Sequence, residues 1–597
     1  MLKRYGFIFI IIFGYFNFIF AQEPAGFDLD RIIISKDKVN LSKSYSLKSA
    51  ALQILPFDSP IEALSALPID LQSRSPKGAI QTDFSLRGSN FQEVLILFQG
   101  QRINDPQTAH HNSDIPITKE DVERIDLLPG VSSAVFGPDS IGGAVNFILK
   151  KPKERRIVFE SSGGQHKTWS GLFSATEKMG DLGARLSIEN QSSVGFYTDT
   201  DFRKFTSILD SSLDIPDGEF DLAFGYQEKE FGAYDFYTPA NGYQSKEWTK
   251  TYLLNAGLSL DKGGLLIKPN FLWRRHYDKF LLDRTLIRSR YLNHTRTDMF
   301  TPNIYLQKEV GLFGKAGLGL EYGEEKINSV FLGKHSRNHK SLIMDESKDI
   351  NDNLSFGASF RADDFSATDL VYTGSLSAKY KLSETKALRF GVSRSTRIPS
   401  FTELYYSDPT TIGNTVLSNE KSMNYQAGFD YKKNKISLAS TIFFRREDDF
   451  IDWVKSTPAQ AKWQAQNVDK SDNFGIENQL KIDITQYLTL DSNYTFINKR
   501  NSKQGHVYKY GPNYAKHLLN SQLLVKLPFG TQSIGFTVKK KPDRREWFLL
   551  NARLSYNLNK HSSVFLNATN LCNVEYQEIE GIPSPDRWVE GGFRLEW

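Results

Sequence analysis

One polar loop contains the residue types best suited to ligand chemistry. It offers carboxylate, amide, hydroxyl and imidazole groups on Asp105, Gln107, Thr108, His110, His111 and Asn112. The adjacent imidazoles could contact a metal ion, a haem or another metal chelate. They could instead hydrogen-bond within the loop, which we favour over direct coordination. On either interpretation, we expect this loop to lie beside a ligand.

An aromatic-rich segment, residues 231–239, is a second candidate for ligand contact. Its candidate contact residues are Tyr234, Asp235 and Tyr237. Aromatic rings combined with amides, imidazoles and few charges suit a large amphipathic ligand that is held by stacking and hydrogen bonds. A free metal ion would demand a denser set of carboxylates or imidazoles, so we predict no metal site and no cofactor.

The other reactive residues show no catalytic arrangement. The chain has 10 histidines, yet no motif places a nucleophile, a base and an orienting group together. We therefore predict that it is not an enzyme. Its 74 basic and 69 acidic residues give a net charge of +5 with no single-sign field, so nucleic acid is not a predicted partner. The single cysteine, Cys572, excludes an intrachain disulfide.

The first 21 residues have the pattern of a secretory signal peptide. Lys3 and Arg4 precede an apolar run that ends at Phe20, and cleavage is expected after Ala21. No later segment approaches the roughly 18 apolar residues of a spanning helix, which excludes a helical membrane protein. The aromatic content of 13% and the mean hydropathy of −0.41 remain compatible with a transmembrane β-barrel, whose strands show only alternate residues to lipid.

Residues 152–597 consist of short segments of alternating polarity separated by turns. The segment 184–189 alternates in this way and follows the turn composition of residues 178–181. A soluble β-sandwich would share this pattern. The last segment discriminates better, because Val589, Phe593 and Trp597 share an apolar face while Glu590 and Arg594 lie opposite. This length allows about 20 residues per strand and turn in a 22-stranded barrel, the size found in plugged transporters.

Residues 41–151 have the pattern of a compact α/β unit. Ser59–Glu62 is a capping box that predicts a helix, and Val94–Phe98 predicts a buried strand. A second short helix is predicted from Thr118, followed by a strand over Arg124–Leu128. These patterns place the unit either in the lumen of the barrel or beside it in the periplasm.

A series of motifs in this unit resembles the plug of TonB-dependent outer-membrane receptors. They are Asp83–Gly88, Val94–Asp105, Val122–Asp126, Ser132–Gly137 and Ser140–Asn146. In the later region, Arg397–Tyr405, Leu417–Ser422, Phe474–Glu477 and Asn567–Leu571 are similar to barrel motifs of the same family. The resemblance implies an all-β membrane protein, a 22-stranded antiparallel transmembrane β-barrel (residues 152–597) with an N-terminal α/β plug domain (residues 41–151) in its lumen.

The resemblance also implies function and partners. The family takes up scarce large nutrients across the cell outer membrane, driven by the TonB–ExbB–ExbD complex. Residues 22–40 would form a periplasmic N-terminus with a Ton box at Asp30, Arg31, Ile32, Ile33, Ile34, Ser35 and Lys36. An ordinary first strand of the plug is the alternative for these residues. Outer-membrane lipid and the barrel assembly machinery are further expected partners of a monomeric receptor.

The ligand loop and the aromatic segment resemble the subgroup grouped with cobalamin receptors. We therefore place cobalamin ahead of a ferric siderophore or haem. A passive porin or adhesin barrel would account for the strands but would leave the plug motifs without a role.

One departure from the family pattern concerns the contact between plug and barrel. The resemblance implies that Arg87 pairs with Glu420 and Glu477 of the barrel. The family often has Arg-Gly-Pro where this chain has Pro129-Gly130-Val131, so one plug arginine is missing. The sign of its effect on stability is open, because desolvation offsets much of the energy of a buried ion pair.

We predict that Ile33→Pro abolishes nutrient uptake but leaves binding at the cell surface intact. Proline removes a backbone donor and blocks pairing of residues 30–36 with a strand of the energy-transducing partner. Uptake and surface binding of a radiolabelled nutrient measure the two effects. Undiminished uptake by the variant would remove these residues from that role.

Overall fold

The computed structural model describes residues 44–75, 77–237, 241–285, 292–366, 368–501, 506–511 and 513–597. The predicted signal peptide and the candidate Ton box, residues 30–36, lie outside the described residues.

Residues 45–149 form a small α/β unit, the plug. Its strands are β1 (Tyr45–Lys48), β2 (Asp70–Ser75), β3 (Gln81–Ser85), β4 (Val94–Phe98), β5 (Gln101–Arg102), β6 (Val122–Pro129) and β7 (Gly143–Leu149). Its helices are α1 (Ser49–Ile54) and α2 (Pro60–Ala63). Five strands form a mixed sheet in the order β1-β6-β7-β4-β5, in which only β4 and β7 are parallel, and β2 pairs with β3 in a separate hairpin.

Three of the four local predictions for the plug are confirmed and one is wrong. The strand predicted over Arg124–Leu128 lies within β6. Strand β4 has the predicted bounds, and the Ser59 hydroxyl caps α2 by accepting from the Glu62 amide at 3.2 Å. The helix predicted from Thr118 is a turn. The Asp121 carboxylate accepts from the Thr118 amide at 2.7 Å and from its hydroxyl at 2.8 Å, and β6 begins at the next residue. Because the strand begins directly after Asp121, too few residues remain for a helical turn.

The rest of the chain forms one closed antiparallel barrel of 22 long strands, with two short strands, β21 and β26, at its rim. The bounds are β8 Arg156–Gly164, β9 Thr168–Met179, β10 Leu182–Ser193, β11 Phe202–Ile215, β12 Gly218–Gly232, β13 Lys246–Lys262, β14 Leu265–Leu281, β15 Leu292–Val310, β16 Gly314–Ser329, β17 Gly333–Asp349, β18 Leu354–Phe365, β19 Val371–Ser383, β20 Lys386–Arg397, β21 Thr411–Ile412, β22 Glu420–Lys433, β23 Ile436–Lys455, β24 Trp463–Asp483, β25 Leu488–Asn501, β26 Val507–Tyr508, β27 His517–Leu527, β28 Gly530–Lys540, β29 Trp547–Asn559, β30 Ser562–Thr569 and β31 Trp588–Glu596. Closure comes from β31 pairing with β8, with Phe593 opposite Ser161.

The barrel has polar side chains inside and apolar side chains outside. On β10, Arg185 and Glu189 are each 4% exposed and face inward, whereas Leu186 is 39% exposed on the outer wall. The last strand repeats the pattern, with Glu590 buried and Phe593 exposed. A bilayer around the barrel favours this distribution, and a soluble sandwich does not. No helix among the described residues is long and apolar enough to cross a membrane.

The two ends of the barrel differ in their connections. At one end, tight turns such as residues 180–181 between β9 and β10 join neighbouring strands. At the other end, residues 398–419 and 570–587 form long loops, the first of which contains helix α3 (Phe401–Tyr405). Outer-membrane barrels have short periplasmic turns and longer extracellular loops. We refer to the second end as the loop end.

The plug lies in the lumen, a position that the sequence patterns left open. Barrel side chains donate to plug carbonyls, as Asn493 does to Ala66 at 3.1 Å and Asn520 to Leu67 at 2.8 Å. Leu253 and Leu272 of the barrel wall also join the plug's hydrophobic core. The plug sheet therefore packs directly against the inner wall.

We predict that Leu376→Arg destabilises the barrel in lipid by about 2–4 kcal/mol, because it places a charge on the apolar outer wall. Leu376 is 50% exposed in the middle of β19, between Ala358 and Val392 of the neighbouring strands. Denaturant unfolding in vesicles measures the change. Leu376→Phe is the matched control and should fold as wild type. Equal stability of the two variants would contradict lipid contact at this face.

Candidate functional site

The predicted ligand loop lies on the plug, facing the loop end, and its side chains are buried. The Asp105 carboxylate accepts from Arg274 at 2.6 Å, from Thr297 at 3.2 Å and from the Gln107 amide at 2.9 Å. Burial favours a raised pKa for Asp105, but Arg274 and neighbouring histidines hold that pKa below its usual range. Asp105 is therefore an ionised anchor between plug and barrel wall.

Three other predicted residues of the loop maintain its shape. The Asn112 side chain accepts from the Asp105 amide at 2.9 Å, and the Thr108 carbonyl accepts from the His111 amide at 3.3 Å. The Gln107 side-chain amide donates to Asp278 of β14 at 3.0 Å. Two backbone amides of α3, from Phe401 and Thr402, donate to carbonyls of residues 106 and 107, so the long extracellular loop rests on the ligand loop.

His110 and His111 point to different neighbours. His110 Nδ1 lies 2.8 Å from Asp83, and its ring stacks on Phe91 with centroids 4.1 Å apart. Burial lowers the pKa of His110 to about 4 in spite of Asp83. The ring is therefore neutral at physiological pH. Donation from Nδ1 to Asp83 leaves Nε2 as the acceptor nitrogen.

His111 faces the barrel wall instead. Its Nε2 lies 3.7 Å from Asp278 and its Nδ1 lies 3.9 Å from Asp114. Burial favours a lowered pKa for His111, but Asp278 and Glu247 raise that pKa to about 9. His110 therefore makes a hydrogen bond within the plug, as we expected for the pair. The ring nitrogens of His111 lie farther from the neighbouring carboxylate oxygens than a hydrogen bond allows.

The aromatic segment contributes one residue to the same region. The Tyr237 hydroxyl accepts from Gln81 at 2.5 Å and donates to Glu247 at 3.0 Å, and its ring lies 5.6 Å from that of His110. Tyr234 packs edge-on against Tyr197, with centroids 5.1 Å apart. The Asp235 carboxylate accepts from the amides of residues 242 and 243 and so stabilises its own loop. Residues 238 and 239 lie outside the described residues.

A group of rings, the aromatic vestibule, surrounds His110 at the loop end of the plug. It consists of Phe91, His110, Tyr237, Phe280 and Tyr510. Phe91 and His110 are buried at its floor, while Tyr237, Phe280 and Tyr510 are half-buried around them. Tyr510 contacts Phe91 edge-on at 4.9 Å, and the Asp452 carboxylate fixes its loop by accepting from the amides of Tyr510 and Gly511.

Two of the cations near the vestibule are paired with carboxylates, whereas Lys509 lies 5.3 Å from the ring centroid of Tyr510. Arg74 donates to Asp83 at 2.7 Å and lies 5.8 Å from the Tyr237 ring. Farther along the rim, Lys539 lies 2.8 Å from both Asp70 and Glu578. Apart from Lys509, the region therefore offers rings and amides with little unbalanced charge.

Of the two barrel carboxylates that were expected to pair with Arg87 of the plug, one does so in the structure. Arg87 donates to Glu477 at 2.6 Å and to Gln426 at 2.9 Å. Glu420 instead accepts two hydrogen bonds at 2.7 Å from Arg397, a residue of the barrel itself. Gly130 follows the position of the missing family arginine, and a Cβ atom on it would lie 2.8 Å from the end of the flexible Arg87 side chain. Its positive φ of 53° favours glycine at this position.

The sequence does not single out Phe91, Phe280 and Tyr510, because these residues come from three distant segments. A lone aromatic residue in a loop or strand carries no signal of its own. Asp83 belongs to a plug motif, but its pairing with both Arg74 and His110 depends on how β2, β3 and the ligand loop pack.

Comparisons with known proteins agree with this architecture. Residues 37–144 match the TonB-dependent receptor plug domain, and residues 183–571 match the TonB-dependent receptor-like β-barrel. A vitamin B12 transporter, BtuB, from Photobacterium profundum is 23% identical over 411 residues, which is 66% of either chain. An iron-regulated outer membrane virulence protein from Vibrio cholerae is 24% identical over 75% of this chain and 74% of its own length.

Solved structures share the fold at lower identity. The siderophore receptor PirA from Pseudomonas aeruginosa superposes with a TM-score of 0.74 and 16% identity, covering 94% of this chain and 100% of the receptor. The ferric enterobactin receptor PfeA from the same organism gives a TM-score of 0.76 and 15% identity over 94% of this chain and 100% of the receptor. Because the barrel match alone spans more than half of the sequence, this chain belongs to the TonB-dependent receptor family of the outer membrane.

Proposed function

We propose that this receptor takes up a large, nearly neutral and amphipathic nutrient by energy-coupled transport, with a corrinoid of the cobalamin type as its ligand. The observation that carries the proposal is the aromatic vestibule, which lies on the plug at the loop end. Half-buried rings can stack on a flat macrocycle, and the surrounding amides can hydrogen-bond to polar substituents at its edge.

The pairing of nearby cations supports a ligand of low net charge. Arg74 is neutralised by Asp83, and Lys539 by Asp70 and Glu578. A strongly anionic chelate would be favoured by cations that remain free to pair with it. The similarity to vitamin B12 transporters over most of the chain supports the same choice.

A ferric siderophore or haem is the second candidate. His110 favours it, because a carboxylate on Nδ1 is the arrangement that orients an imidazole for a metal at Nε2. The fold similarity to siderophore receptors is compatible with either ligand, since identities of 14–16% carry the fold alone.

The plug position supports active transport over a passive pore. Side chains of the plug fill the lumen and bond to the wall on several sides, as at Arg87 and Asp105. Movement of such a plug breaks buried ion pairs, which costs about 3–5 kcal/mol when one partner is left uncompensated. We therefore propose coupling to the TonB–ExbB–ExbD complex through residues 30–36, insertion by the barrel assembly machinery and no catalytic activity.

Binding by the purified receptor in detergent tests the ligand class. Cyanocobalamin, ferric enterobactin and haem are titrated separately at micromolar concentrations. We expect binding of cyanocobalamin and none of the ferric catecholate. Binding of an iron chelate without cyanocobalamin binding would refute the corrinoid proposal while leaving family membership intact.

We predict that Tyr510→Ala weakens cyanocobalamin binding about tenfold, or about 1.4 kcal/mol, because it removes a stacking ring from the vestibule. Tyr322→Ala is the matched control, since Tyr322 is 37% exposed on the barrel, away from the vestibule. Isothermal titration of folded, heat-modifiable receptor measures both variants. Equal affinities of Tyr510→Ala and wild type would exclude the vestibule from the binding site.

We also predict that uptake stops when a protonophore collapses the inner-membrane proton gradient, while surface binding continues. Radiolabelled ligand is followed in whole cells that express the receptor, with receptor-deletion cells as the control. Planar-bilayer conductance complements the assay, because a filled lumen should show no open-channel current. Gradient-independent accumulation together with a steady conductance would indicate a passive pore.

A further inference from the structure

A buried cluster of possible metal ligands lies between the plug and the barrel wall. It consists of His111 on the ligand loop, Glu247 on β13 and Asp278 on β14. One ligand atom from each residue lies within 4.8 Å of the others, and the three side chains are all buried. Sequence analysis predicted no metal site because these residues come from three separate segments.

The distances within the cluster suit ligands that share an ion. His111 Nε2 and Asp278 Oδ2 are 3.7 Å apart, which is too far for a hydrogen bond. Ligand atoms that each lie about 2.0–2.2 Å from one zinc ion are separated by roughly 3–4 Å. The other oxygen of Asp278, Oδ1, is buried and accepts no hydrogen bond from the described residues. A buried carboxylate oxygen without a donor is costly, and a bound cation is one partner that would offset this cost.

The charges around the two carboxylates also favour a bound cation. Glu247 and Asp278 have only neutral donors beside His111, namely the Tyr237 hydroxyl at 3.0 Å and the Gln107 amide at 3.0 Å. No lysine or arginine of the described chain lies within 4.0 Å of either carboxylate. Hydrogen bonds from neutral groups to carboxylates are also the outer contacts that orient metal ligands.

Two similar clusters in the described part of the chain already hold cationic side chains. Next to His111, Asp114 is paired with Lys229 at 2.6 Å and with His276 at 2.9 Å. A few strands farther along the wall, on β16, β17 and β18, Glu321, His339 and Asp363 surround Arg361, which lies 2.6 Å from Glu321 and 2.7 Å from Asp363. The guanidinium supplies there a permanent positive charge, whereas His111 is the only basic side chain in the first cluster.

We propose that His111 Nε2, Glu247 and Asp278 bind one divalent cation of the zinc class and so tie the ligand loop to the barrel wall. An imidazole with two carboxylates is a ligand set that zinc accepts, with water as a fourth ligand. The ion balances the buried negative charge and links the plug to two strands below Tyr237. This site adjoins the vestibule through Tyr237, which donates to Glu247, but the proposal stands whether or not the nutrient is a corrinoid.

Zinc binding to the full receptor in detergent, stripped with a chelator and then dialysed, tests the proposal. We expect one equivalent of Zn²⁺ per receptor, and Co²⁺ in its place should give visible absorption bands of a low-symmetry site. Asp278→Asn keeps the shape of the side chain but removes its charge, and His111→Gln removes the imidazole. Each should weaken zinc binding by at least about tenfold.

His339→Gln is the matched control, because it removes the histidine of the cluster that holds Arg361. It should keep wild-type zinc affinity. Heat-modifiable mobility on a gel shows which variants are folded. If Asp278→Asn or His111→Gln does not fold, Glu247→Gln is measured in its place. X-ray absorption of the zinc-loaded wild type adds a direct test, since it should report one nitrogen ligand among oxygens.

Two results would overturn the proposal. The first is a folded wild-type receptor that takes up no zinc at micromolar concentrations, in which case His111 is an imidazolium paired with the two carboxylates. The second is zinc uptake that His339→Gln reduces as much as His111→Gln does, which would show that the metal is not specific to the cluster of His111, Glu247 and Asp278.

Discussion

The inverted polarity of the barrel is the constraint on which the other features depend. A bilayer offers no hydrogen bonds, so every backbone group in the wall must pair with a neighbouring strand, and the sheet must close. Pairing of β31 with β8 achieves this closure. Alternation then sends apolar side chains to lipid and leaves the inner wall polar, so whatever fills the lumen must present polar partners to that wall.

The plug fulfils that requirement by contacting the wall mainly through hydrogen bonds and ion pairs. Arg87 reaches Glu477, Arg274 reaches Asp105, and wall asparagines cap plug carbonyls such as that of Leu67. Such contacts are specific in position, yet their net free energy is modest because desolvation opposes the Coulomb attraction. A plug that is held this way can have one resting position and still be displaced by a pulling force.

Pairing of buried charges also determines the character of the candidate binding region. Carboxylates neutralise Arg74 and Lys539 near the vestibule, so the proposed ligand affinity rests mainly on stacking and hydrogen bonding. Arg87 forms the predicted contact with Glu477 of the wall, and its guanidinium lies close to Gly130, the residue after the missing family arginine.

Much of this architecture could be predicted from periodicity and motifs, because those signals are local. Alternating polarity predicted the strands, the charged and apolar faces of the last strand predicted lipid on one side, and Val94–Phe98 predicted the central plug strand. Local signals also misled at Thr118, where the Asp121 side chain closes a turn instead of starting a helix. Residues 30–36 lie outside the described residues, so their role as a Ton box stays a prediction.

Only the tertiary structure decided which side chains meet. His110 and His111 are neighbours in sequence, yet one stacks on Phe91 and the other faces Asp278, because the short 3₁₀ turn that carries them points their rings in different directions. Glu420 and Glu477 match the family motifs equally well. In the structure, Glu420 pairs with Arg397 of the barrel, and Glu477 pairs with Arg87 of the plug. The sequence determined strand, turn and plug because each depends on nearby residues, whereas the site depends on distances between segments that only a closed barrel around a folded plug brings together.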